Sequence, residues 1–380
     1  MKKKKIKVLI VAGRMDVGGI ENQLMHLLRN TDQTQFQIDF TTTDEHPFYE
    51  DEIIALGSHC IRLPETDGRR FFHYCKALYR VIRNGEYDVV HSHELFHSGM
   101  VLLTAKLAGV RCRIVHAHSS NQVLGKSLAR RSYTAAMRWL ILHCATEFCA
   151  CSTLAAEFLY GEKILKRSNY HLIVNSVQTS CFLPKPVELL SKDSDRDGWM
   201  TVLQVGRFCD EKNFPLSIRI ASECKRRGDK IRFQFVGNNG TENPYVREVQ
   251  RLIHKEGLED TVVLLGVRKD INELMKQADA FLLPSKHEGM PLTLIEAQAA
   301  CLPCVAADTF SHEVDFGVGA VNWLSLNASV EAWADAVEQA AQRNKTDADL
   351  VKTAIIEKGF DVSCFSNKLC TLYKRAAGNY

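Results

Sequence analysis

Short apolar runs alternate with longer amphipathic segments along the whole chain. Seven runs in the first half have the length and the aliphatic and aromatic content of strands: 5–12, 35–43, 60–64, 88–93, 112–119, 147–152 and 171–177. Six more follow in the second half: 201–208, 232–238, 261–267, 280–285, 303–308 and 320–326. Because helical or mixed segments separate the strands in both series, the pattern predicts two parallel, doubly wound α/β sheets.

The chain is long enough for the two sheets to form separate domains. Its 380 residues exceed the size at which a single hydrophobic core stops growing, and 46% of them are hydrophobic. The segment 178–199 has two prolines and a charged run that ends in glycine, a composition typical of a linker. We therefore predict an N-terminal domain over 1–180, a linker over 181–199 and a second domain over 200–360.

Two glutamates, Glu288 and Glu296, flank the start of a predicted helix. The run 280–285 has strand character, and 291–300 contains good helix formers. Glu288 then lies at the edge of the loop, and Glu296, about two turns further along, can return to the same side. A structural alternative is that Glu288 caps the loop and Glu296 is a solvated helix residue.

The loop between the two glutamates is suited to bind an anion. Pro291 fits a first helical position and has no N–H to offer, but Gly289, Met290 and Leu292 can present backbone N–H groups at the helix N-terminus. The free donors and the helix dipole there favour a phosphate. A carboxylate beside a phosphate needs neutral hydroxyl partners, which sugars and riboses supply.

Arg207 and Lys212 lie between another predicted strand, 201–208, and a largely buried helix that begins near 214. The planar fork of a guanidinium and the compact charge of an ammonium can together neutralise a diphosphate. A solvated loop edge is the alternative for two basic residues considered alone. The glutamate segment favours the diphosphate interpretation.

With these motifs, the chain resembles the retaining glycosyltransferases of family four (glycosyl transferases group 1) over nearly its whole length. The matching motifs, in order, are GGIE (18–21), VHSH (90–93), VHAHS (115–119), VGR with a lysine five positions after the arginine (205–212), FVGNNG (235–240), LLGVRKDI (264–271) and EGMPLTLIE (288–296). The resemblance implies a GT-B fold, in which two facing Rossmann-like domains enclose a cleft that holds the site. It also implies that the C-terminal segment 361–380 forms a helix that crosses back to the first domain.

The same resemblance implies roles for individual residues. Arg207 and Lys212 hold the donor diphosphate, and Glu288 with the amides of Gly289, Met290 and Leu292 holds the transferred sugar. The resemblance also implies that Glu296 binds the ribose and that backbone near Val267 and Arg268 contacts the nucleotide base. It implies that His118 forms a hydrogen bond with a hydroxyl of the donor or acceptor. A structural histidine is the alternative for His118.

Gly18 and Gly19 follow the first predicted strand. Their spacing fails the G-x-G-x-x-G pattern of a nicotinamide site, and no suitable acidic strand end follows. We expect these glycines to let the loop approach the donor phosphates closely, because they lack a side chain. A plain turn is the alternative.

The histidines and cysteines raise the question of a metal. His91, His93, Glu94 and His97 could supply ligands, but on a strand His91 and His93 share a face while Glu94 turns away. No Asp-x-Asp pair is placed to hold an ion, so we predict no metal and no cofactor. The CLPC motif (301–304) is interpreted as packing. Compared with the family, Cys301 replaces a glycine that is frequent at that turn.

Composition and charge concern the surroundings of the protein. The thirteen cysteines are scattered and odd in number, which suits reduced thiols, and no apolar run reaches the length of a membrane span. We therefore expect a cytoplasmic protein. Residues 1–180 contain 23 Lys or Arg against 17 Asp or Glu, a net charge of +6 against +3 for the whole chain. This half should serve the acceptor.

Basic residues interleave with aromatic and apolar ones in 62–83 and 109–141. That mixture favours peripheral contact with the anionic inner face of a plasma membrane. Inward packing of the aromatic residues is the alternative. Nucleic acid is not expected as a partner, because the net charge is modest and no binding motif accompanies it.

The resemblance therefore predicts transfer of a sugar from a nucleotide-sugar to a lipid-linked saccharide acceptor, in exopolysaccharide or capsule synthesis. We expect UDP as the nucleotide, because it is the commonest donor nucleotide in the family. No enzymic nucleophile is evident, so we expect front-face displacement with retention, in which the stabilised diphosphate accepts the proton of the acceptor. A nucleotide-sugar epimerase and a non-catalytic partner subunit are the two alternatives.

Overall fold

The computed structural model describes residues 5–15, 18–65, 71–120, 127–184, 198–237, 243–376 and 378, without the side chains of residues 71 and 376. Most of the predicted linker (185–197) and the end of the FVGNNG motif (238–240) therefore lie outside the described residues. The chain separates into two compact units. Unit 1 comprises Met1–Ser176 with Val362–Tyr380, and unit 2 comprises Val177–Asp361.

Unit 1 is built on a parallel sheet of seven strands in the order β3-β2-β1-β4-β5-β6-β7. The strands are β1 Ile6–Val11, β2 Phe36–Thr42, β3 Cys60–Arg62, β4 Val89–Ser92, β5 Cys112–Ala117, β6 Glu147–Ala150 and β7 Tyr170–Leu172. The central strands are buried almost throughout, as expected when helices cover both faces of a parallel sheet. All seven strand predictions are found, although the last strand is shorter than the predicted 171–177.

The helices between these strands are α1 Gly19–Arg29, α2 Glu50–Ala55, α3 Phe71–Gly85, α4 Ser98–Leu107, α5 Leu128–Cys144 and α6 Thr153–Tyr160. Serine hydroxyls cap the N-termini of α5 and α6, since Ser127 accepts from the Arg130 N–H and Ser152 accepts from the Ala155 N–H.

Unit 2 repeats the architecture with a parallel sheet of six strands in the order β10-β9-β8-β11-β12-β13. The strands are β8 Met200–Val205, β9 Ile231–Val236, β10 Val262–Gly266, β11 Ala280–Leu283, β12 Cys304–Ala307 and β13 Val321–Leu324. The helices are α7 Thr179–Phe182, α8 Phe214–Arg227, α9 Pro244–Lys255, α10 Ile271–Gln277, α11 Leu292–Ala299, α12 Val330–Gln342 and α13 Ala348–Lys358. The short helix α7 begins before, and ends inside, the segment predicted as a linker.

The last helix, α14 (Val362–Ala376), belongs to unit 1. Its Phe365, Leu369 and Tyr373 are buried in the same core as residues of β1 and α1. The Tyr373 hydroxyl also lies 2.8 Å from Nδ1 of His91 on β4. No helix within the described ranges is long and apolar enough to cross a lipid bilayer.

Candidate functional site

The strand order of unit 2 determines which of its loops can form a site. The chain runs outward from β8 to β9 and β10 on one side, and from β11 to β12 and β13 on the other. The order therefore reverses between the neighbours β8 and β11. Ligands of open parallel sheets bind beyond the carboxyl ends of strands at such a point. Arg207 and Lys212 follow β8, and Glu288 follows β11.

Lys212 and Glu288 are bonded to each other. Nζ of Lys212 donates to Oε1 of Glu288 at 2.6 Å, and the two side chains are only 15% and 14% exposed. Asn213 links the same two loops, because its Nδ2 donates to the Pro284 carbonyl at 3.1 Å. Gln204, near the end of β8, donates to the Lys212 carbonyl at 2.9 Å. The cation and the carboxylate thus lie between the loops that follow β8 and β11, which hydrogen bonds connect.

Arg207 is exposed and has no hydrogen bond or ion pair with any residue that the structure describes. Glycines shape the backbone beside it. A Cβ on Gly237 would lie 2.0 Å from the Gly206 carbonyl oxygen, and a Cβ on Gly206 would lie 2.9 Å from Cε of Lys212. Gly237 therefore permits a close backbone approach that a Cβ would block, and the absence of a Cβ at Gly206 leaves room for the Lys212 side chain. The adjacent Arg207 guanidinium is available to an anion.

The loop after β11 enters α11 one residue later than predicted. Pro291 is the N-cap with φ −69° and ψ 109°, and the helix starts at Leu292. The Pro291 carbonyl accepts from the N–H groups of Leu294 and Ile295. The first-turn N–H of Leu292 has no intrahelical acceptor, which preserves the predicted anion-binding end. Gly289 is half-buried and Met290 is buried in the loop before it.

Cys301 follows the other end of α11 at a φ of +60°, in the left-handed region that favours glycine. The position is therefore one where the glycine frequent in the family would fit without strain. Burial raises the pKa of the Cys301 thiol to about 12, so the side chain is an inert packing group.

Glu296 lies in the second turn of α11 and is half-buried. Its carboxyl group makes neither a hydrogen bond nor an ion pair within the described part of the chain. Burial raises the pKa of Glu296 to about 8. A desolvated carboxyl group without a protein partner can accept hydrogen bonds from ligand hydroxyls.

Val267 and Arg268 come after the edge strand β10, two strands away from β8. Val267 is 63% exposed, while Nε of Arg268 donates to Oδ1 of Asp270 at 2.8 Å. The Arg268 side chain is therefore committed to its neighbour, and an exposed backbone segment is what this loop offers a ligand.

Sequence reasoning missed three features of the same loops. Nζ of Lys286 donates to Oδ1 of Asp210 at 2.7 Å, which adds a second, exposed ion pair between the segments after β8 and β11. The hydroxyls of Ser285 and Thr293 are buried without a hydrogen-bond partner within the described residues. Single hydroxyl residues carry no distinctive spacing, and only their position inside the segment 280–300 could have drawn attention to them.

In unit 1 the strand order reverses between β1 and β4, and the two glycines follow β1. Gly18 is the N-cap of α1 and Gly19 is its first residue. A Cβ on Gly18 would lie 2.1 Å from Oε2 of Glu21, so the carboxylate of the helix itself occupies the space that glycine leaves. This is a local reason for Gly18 that the sequence did not indicate. Its predicted contact with the donor stays a prediction.

His118 lies just beyond β5, half-buried, with Nε2 at 2.7 Å from Nδ1 of His93. Burial lowers the pKa of His118 to about 4, so the imidazole is neutral at physiological pH. His91, His93 and His116 lie in the same cluster and form the one group of His, Cys, Asp or Glu donors near enough together to hold a metal ion in the described ranges.

A cavity of about 360 Å³ opens beside the loop after β4. It is lined by Glu94, Leu95, Phe96, His97, Arg130, Tyr133 and Thr134. Burial raises the pKa of Glu94 to about 7. Leu95 adopts a φ of +46°, a left-handed conformation that is costly for a branched residue. The cavity therefore joins a carboxyl group near its titration point, a guanidinium and a phenol.

Comparison with known proteins defines the family. The Glycosyl transferase 4-like domain matches residues 18–176, and Glycosyl transferases group 1 matches residues 190–356. The chain is 32% identical to "Putative glycosyltransferase EpsF" of Bacillus subtilis (strain 168), over 97% of this chain and 96% of that protein. The chain therefore belongs to the group 1 glycosyltransferases.

Two further relatives have names that specify a pathway or a reaction. The capsular polysaccharide biosynthesis glycosyltransferase CapH of Staphylococcus aureus is 26% identical over 77% of this chain and 78% of its own. The UDP-Gal:alpha-D-GlcNAc-diphosphoundecaprenol alpha-1,3-galactosyltransferase of Escherichia coli is 28% identical over 61% of this chain and 60% of its own.

Among solved structures, Anabaena Alr3699/HepE in complex with UDP and glucose is similar, with a TM-score of 0.78 at 16% identity. The similarity covers 97% of this chain and all of that one. The predicted α/β GT-B fold is thereby confirmed. The family also decides for a glycosyltransferase over the epimerase and partner-subunit alternatives.

Proposed function

We propose that the protein transfers a hexose from a UDP-sugar to a lipid-linked saccharide, with retention of anomeric configuration, in the assembly of an exopolysaccharide or capsule. The observation that carries the proposal is the enclosed Lys212–Glu288 pair at the switch point of unit 2, beside an exposed Arg207 that has no hydrogen bond or ion pair with a described residue. Arg207 and Lys212 offer two cations to a diphosphate, and Glu288 offers one carboxylate to a sugar.

The donor fits this part of unit 2 in chemical terms. Arg207, Lys212 and the first-turn N–H of Leu292 bind the diphosphate. Glu288 accepts from hydroxyls of the transferred sugar, and Glu296, whose carboxyl group has no hydrogen-bond partner among the described residues, accepts from the ribose. UDP is the nucleotide in the HepE complex and in the name of the E. coli relative, which supports UDP as the nucleotide of the donor here.

In the transfer step the bond from the anomeric carbon to the diphosphate breaks while the acceptor oxygen bonds to the same face of the sugar. The proton of the acceptor passes to the departing diphosphate. Arg207 and Lys212 stabilise the negative charge that develops there, in a position where preorganised cations are most effective. These two cations take the role that a divalent ion has in other transferases, so we infer that the step needs none.

Unit 1 supplies the acceptor side. The cavity lined by Glu94, Arg130 and Tyr133 offers a carboxyl group for saccharide hydroxyls, a guanidinium for a lipid diphosphate and an aromatic ring for a sugar face. His118, neutral and bonded to His93, donates or accepts one hydrogen bond at a sugar hydroxyl. The capsular and undecaprenol-linked names of relatives support a lipid-linked saccharide as the acceptor class.

Helix α5 supports peripheral membrane contact by unit 1. Leu128, Arg131 and Trp139 are spaced to share one face and are all exposed, Leu128 by 79% and Trp139 by 58%. An exposed stripe of apolar and basic side chains suits an anionic interface, where a lipid-linked acceptor resides.

A donor screen tests the function. Purified full-length protein is incubated with UDP-, GDP- and ADP-sugars, and slow release of nucleotide is measured without an acceptor. We expect release from one UDP-sugar, lost in Glu288→Ala and Arg207→Ala and retained in Arg219→Ala, an exposed arginine on α8. Release from no donor, with no detectable nucleotide binding, would contradict the proposal. NMR of the anomeric proton, with a diphosphate-linked saccharide as acceptor, then tests retention.

A further inference from the structure

Four histidines from two adjacent strands of unit 1 form one stacked cluster. His91 lies on β4 and His93 just after it, while His116 lies on β5 and His118 just after it. Because alternate residues of a strand point to the same face, both pairs face the same side of the sheet. Neighbouring ring centroids are 4.2 Å apart for His91 and His93, 5.3 Å for His93 and His116, and 4.3 Å for His116 and His118.

The cluster is buried, and several of its ring nitrogens have no hydrogen-bond partner among the described residues. His91, His93 and His116 are 0%, 9% and 1% exposed. Nε2 of His91, Nε2 of His93 and both ring nitrogens of His116 have no hydrogen-bond partner of normal geometry within the described residues. Each buried nitrogen without a partner is a cost to folding that proteins ordinarily avoid. Nitrogens from the three rings nevertheless lie within 4.8 Å of one another.

We propose that His91, His93 and His116 bind one divalent transition-metal ion of the zinc, cobalt or nickel class. Imidazole nitrogen is a preferred ligand of these ions, and three imidazoles are a known ligand set. Tetrahedral bonds of about 2.0–2.1 Å place ligand nitrogens roughly 3.3–3.5 Å apart, so nitrogens up to 4.8 Å apart need to approach by at most about 1.5 Å. Magnesium and calcium are not candidates, because they require oxygen ligands.

The residues behind the three ligands fit this assignment. Nδ1 of His91 lies 2.8 Å from the Tyr373 hydroxyl, and Nδ1 of His93 lies 2.7 Å from Nε2 of His118. Histidines that bind a metal through Nε2 usually donate their other N–H to such a partner, which fixes the tautomer and the ring orientation.

Metal binding would have two consequences in unit 1. The bound ion would cross-link β4 and β5 and, through the contact between His91 and Tyr373, connect them to α14. It would also require Nδ1 of His93 to carry the proton donated to Nε2 of His118. His118 Nδ1 would then carry its own proton and be a hydrogen-bond donor. The ion is thus a structural and positioning group, and the stabilisation of the leaving diphosphate does not draw on it.

Metal binding is tested on the purified full-length chain after chelator treatment, with Co²⁺ as the probe. We expect about one ion per chain with the visible absorption bands of a nitrogen-ligated cobalt, displaced by Zn²⁺. His116→Asn removes a ligand whose ring nitrogens have no hydrogen-bond partner of normal geometry among the described residues, and should weaken binding by more than about 100-fold. His118→Asn should weaken it by about 10–100-fold while the absorption bands persist.

His143→Asn is the matched control, since His143 is an exposed histidine of unit 1 on α5. It should bind Co²⁺ as the natural protein does. The proposal is overturned if the natural protein binds no Co²⁺ at micromolar concentrations, or if His116→Asn binds as tightly as the control. Should His116→Asn fail to fold, X-ray absorption at the zinc edge of the natural protein decides, with three imidazole ligands expected and fewer than two contradicting the assignment.

Discussion

Nζ of Lys212 and Oε1 of Glu288 lie 2.6 Å apart, each on a side chain about one-seventh exposed. The two residues are 76 positions apart in sequence, and a second pair, Lys286 and Asp210, links the same two loops across the same separation. The second pair is 38% and 72% exposed. The chain therefore contains an enclosed ion pair and a solvated one of the same chemistry, side by side.

This arrangement predicts unequal coupling energies. Lys212→Met and Glu288→Gln should each lower the free energy of unfolding by about 1–3 kcal/mol, because the remaining charge stays enclosed without its partner. The double variant should lose less than the sum, with a coupling of about 1–2 kcal/mol. The cycle Lys286→Met with Asp210→Asn should give a coupling below about 1 kcal/mol, since water screens it. Urea unfolding of the natural protein and the six variants measures both, and equal couplings would show that enclosure of the first pair is unimportant.

Arg207 should act on the rate rather than on stability. Its exposed guanidinium has no partner to lose in the described structure, so Arg207→Ala should leave the unfolding midpoint within experimental error. The turnover number at saturating donor should fall by about 10²–10³-fold, the range for removal of one group that stabilises transition-state charge. Arg207→Lys should recover part of this loss, because it restores charge without the planar fork. Near-normal turnover in Arg207→Ala would refute leaving-group stabilisation by this residue.

The raised pKa of Glu296 predicts that the free energy of unfolding falls as the pH rises. Its folded-state pKa of about 8 lies above the ordinary value of 4.5. Between these two pH values the unfolded chain has released the proton that the folded chain retains, so ionisation favours unfolding across that window. The group is only partly enclosed, and we expect a loss of about 1–2 kcal/mol between pH 5 and pH 8. Glu296→Gln should remove this part of the pH dependence, whereas Glu313→Gln, in the same unit, should not.

The same carboxyl group predicts proton release on donor binding. A ribose hydroxyl that donates to the carboxylate favours its ionised form, so UDP-sugar binding near pH 7 should release a proton from Glu296. Calorimetric titration in two buffers of different ionisation enthalpy measures the number released. Glu296→Gln should abolish the release, and an unchanged value would place the titrating group elsewhere.

Tyr373 anchors the last helix through its hydroxyl group. In the metal-free protein, Tyr373→Phe would leave both ring nitrogens of His91 without hydrogen-bond partners among the described residues, because Nε2 of His91 already has none there. We expect a loss of about 1–3 kcal/mol in the free energy of unfolding, the cost of a buried polar group without a hydrogen bond. Tyr79→Phe, at a tyrosine 40% exposed, is the matched control and should be nearly neutral.

The exposed stripe of α5 predicts a measurable affinity for anionic vesicles. Trp139→Glu should weaken the vesicle affinity measured by sedimentation by at least about tenfold, or 1.4 kcal/mol, because it replaces an interfacial aromatic ring by a charge of the same sign as the lipid. Leu350→Glu alters an apolar side chain that is 52% exposed in unit 2, and should have little effect. Equal effects of the two substitutions would assign binding to net charge alone.

Magnesium and manganese should not raise the transfer rate. In the proposed reaction Arg207 and Lys212 supply the positive charge at the diphosphate, and added Mg²⁺ or Mn²⁺ leaves them unchanged. The measurement is the initial rate with and without added Mg²⁺ or Mn²⁺. A dependence that saturates with metal concentration would contradict the inferred metal-independent step.

Much of the architecture follows from local pattern alone. The thirteen apolar runs predicted as strands all form strands, because near-continuous apolar runs of this length can be satisfied only inside a parallel sheet covered on both faces. The positions of Arg207 after β8 and of Glu288 after β11 were also readable, since motif and strand adjoin in sequence. Element ends were less predictable: Pro291 is the N-cap of α11 instead of its first residue, and α7 extends into the expected linker.

Pairings between distant residues were decided only by the tertiary structure. Nothing in the sequence shows that Lys212 and Glu288 bond to each other, that Tyr373 reaches His91, or that His116 completes a cluster with His91 and His93. Such contacts depend on which strands become neighbours, and strand order is set by packing of the whole domain. Local periodicity fixes the face of a residue, whereas its partners depend on the global arrangement of the chain.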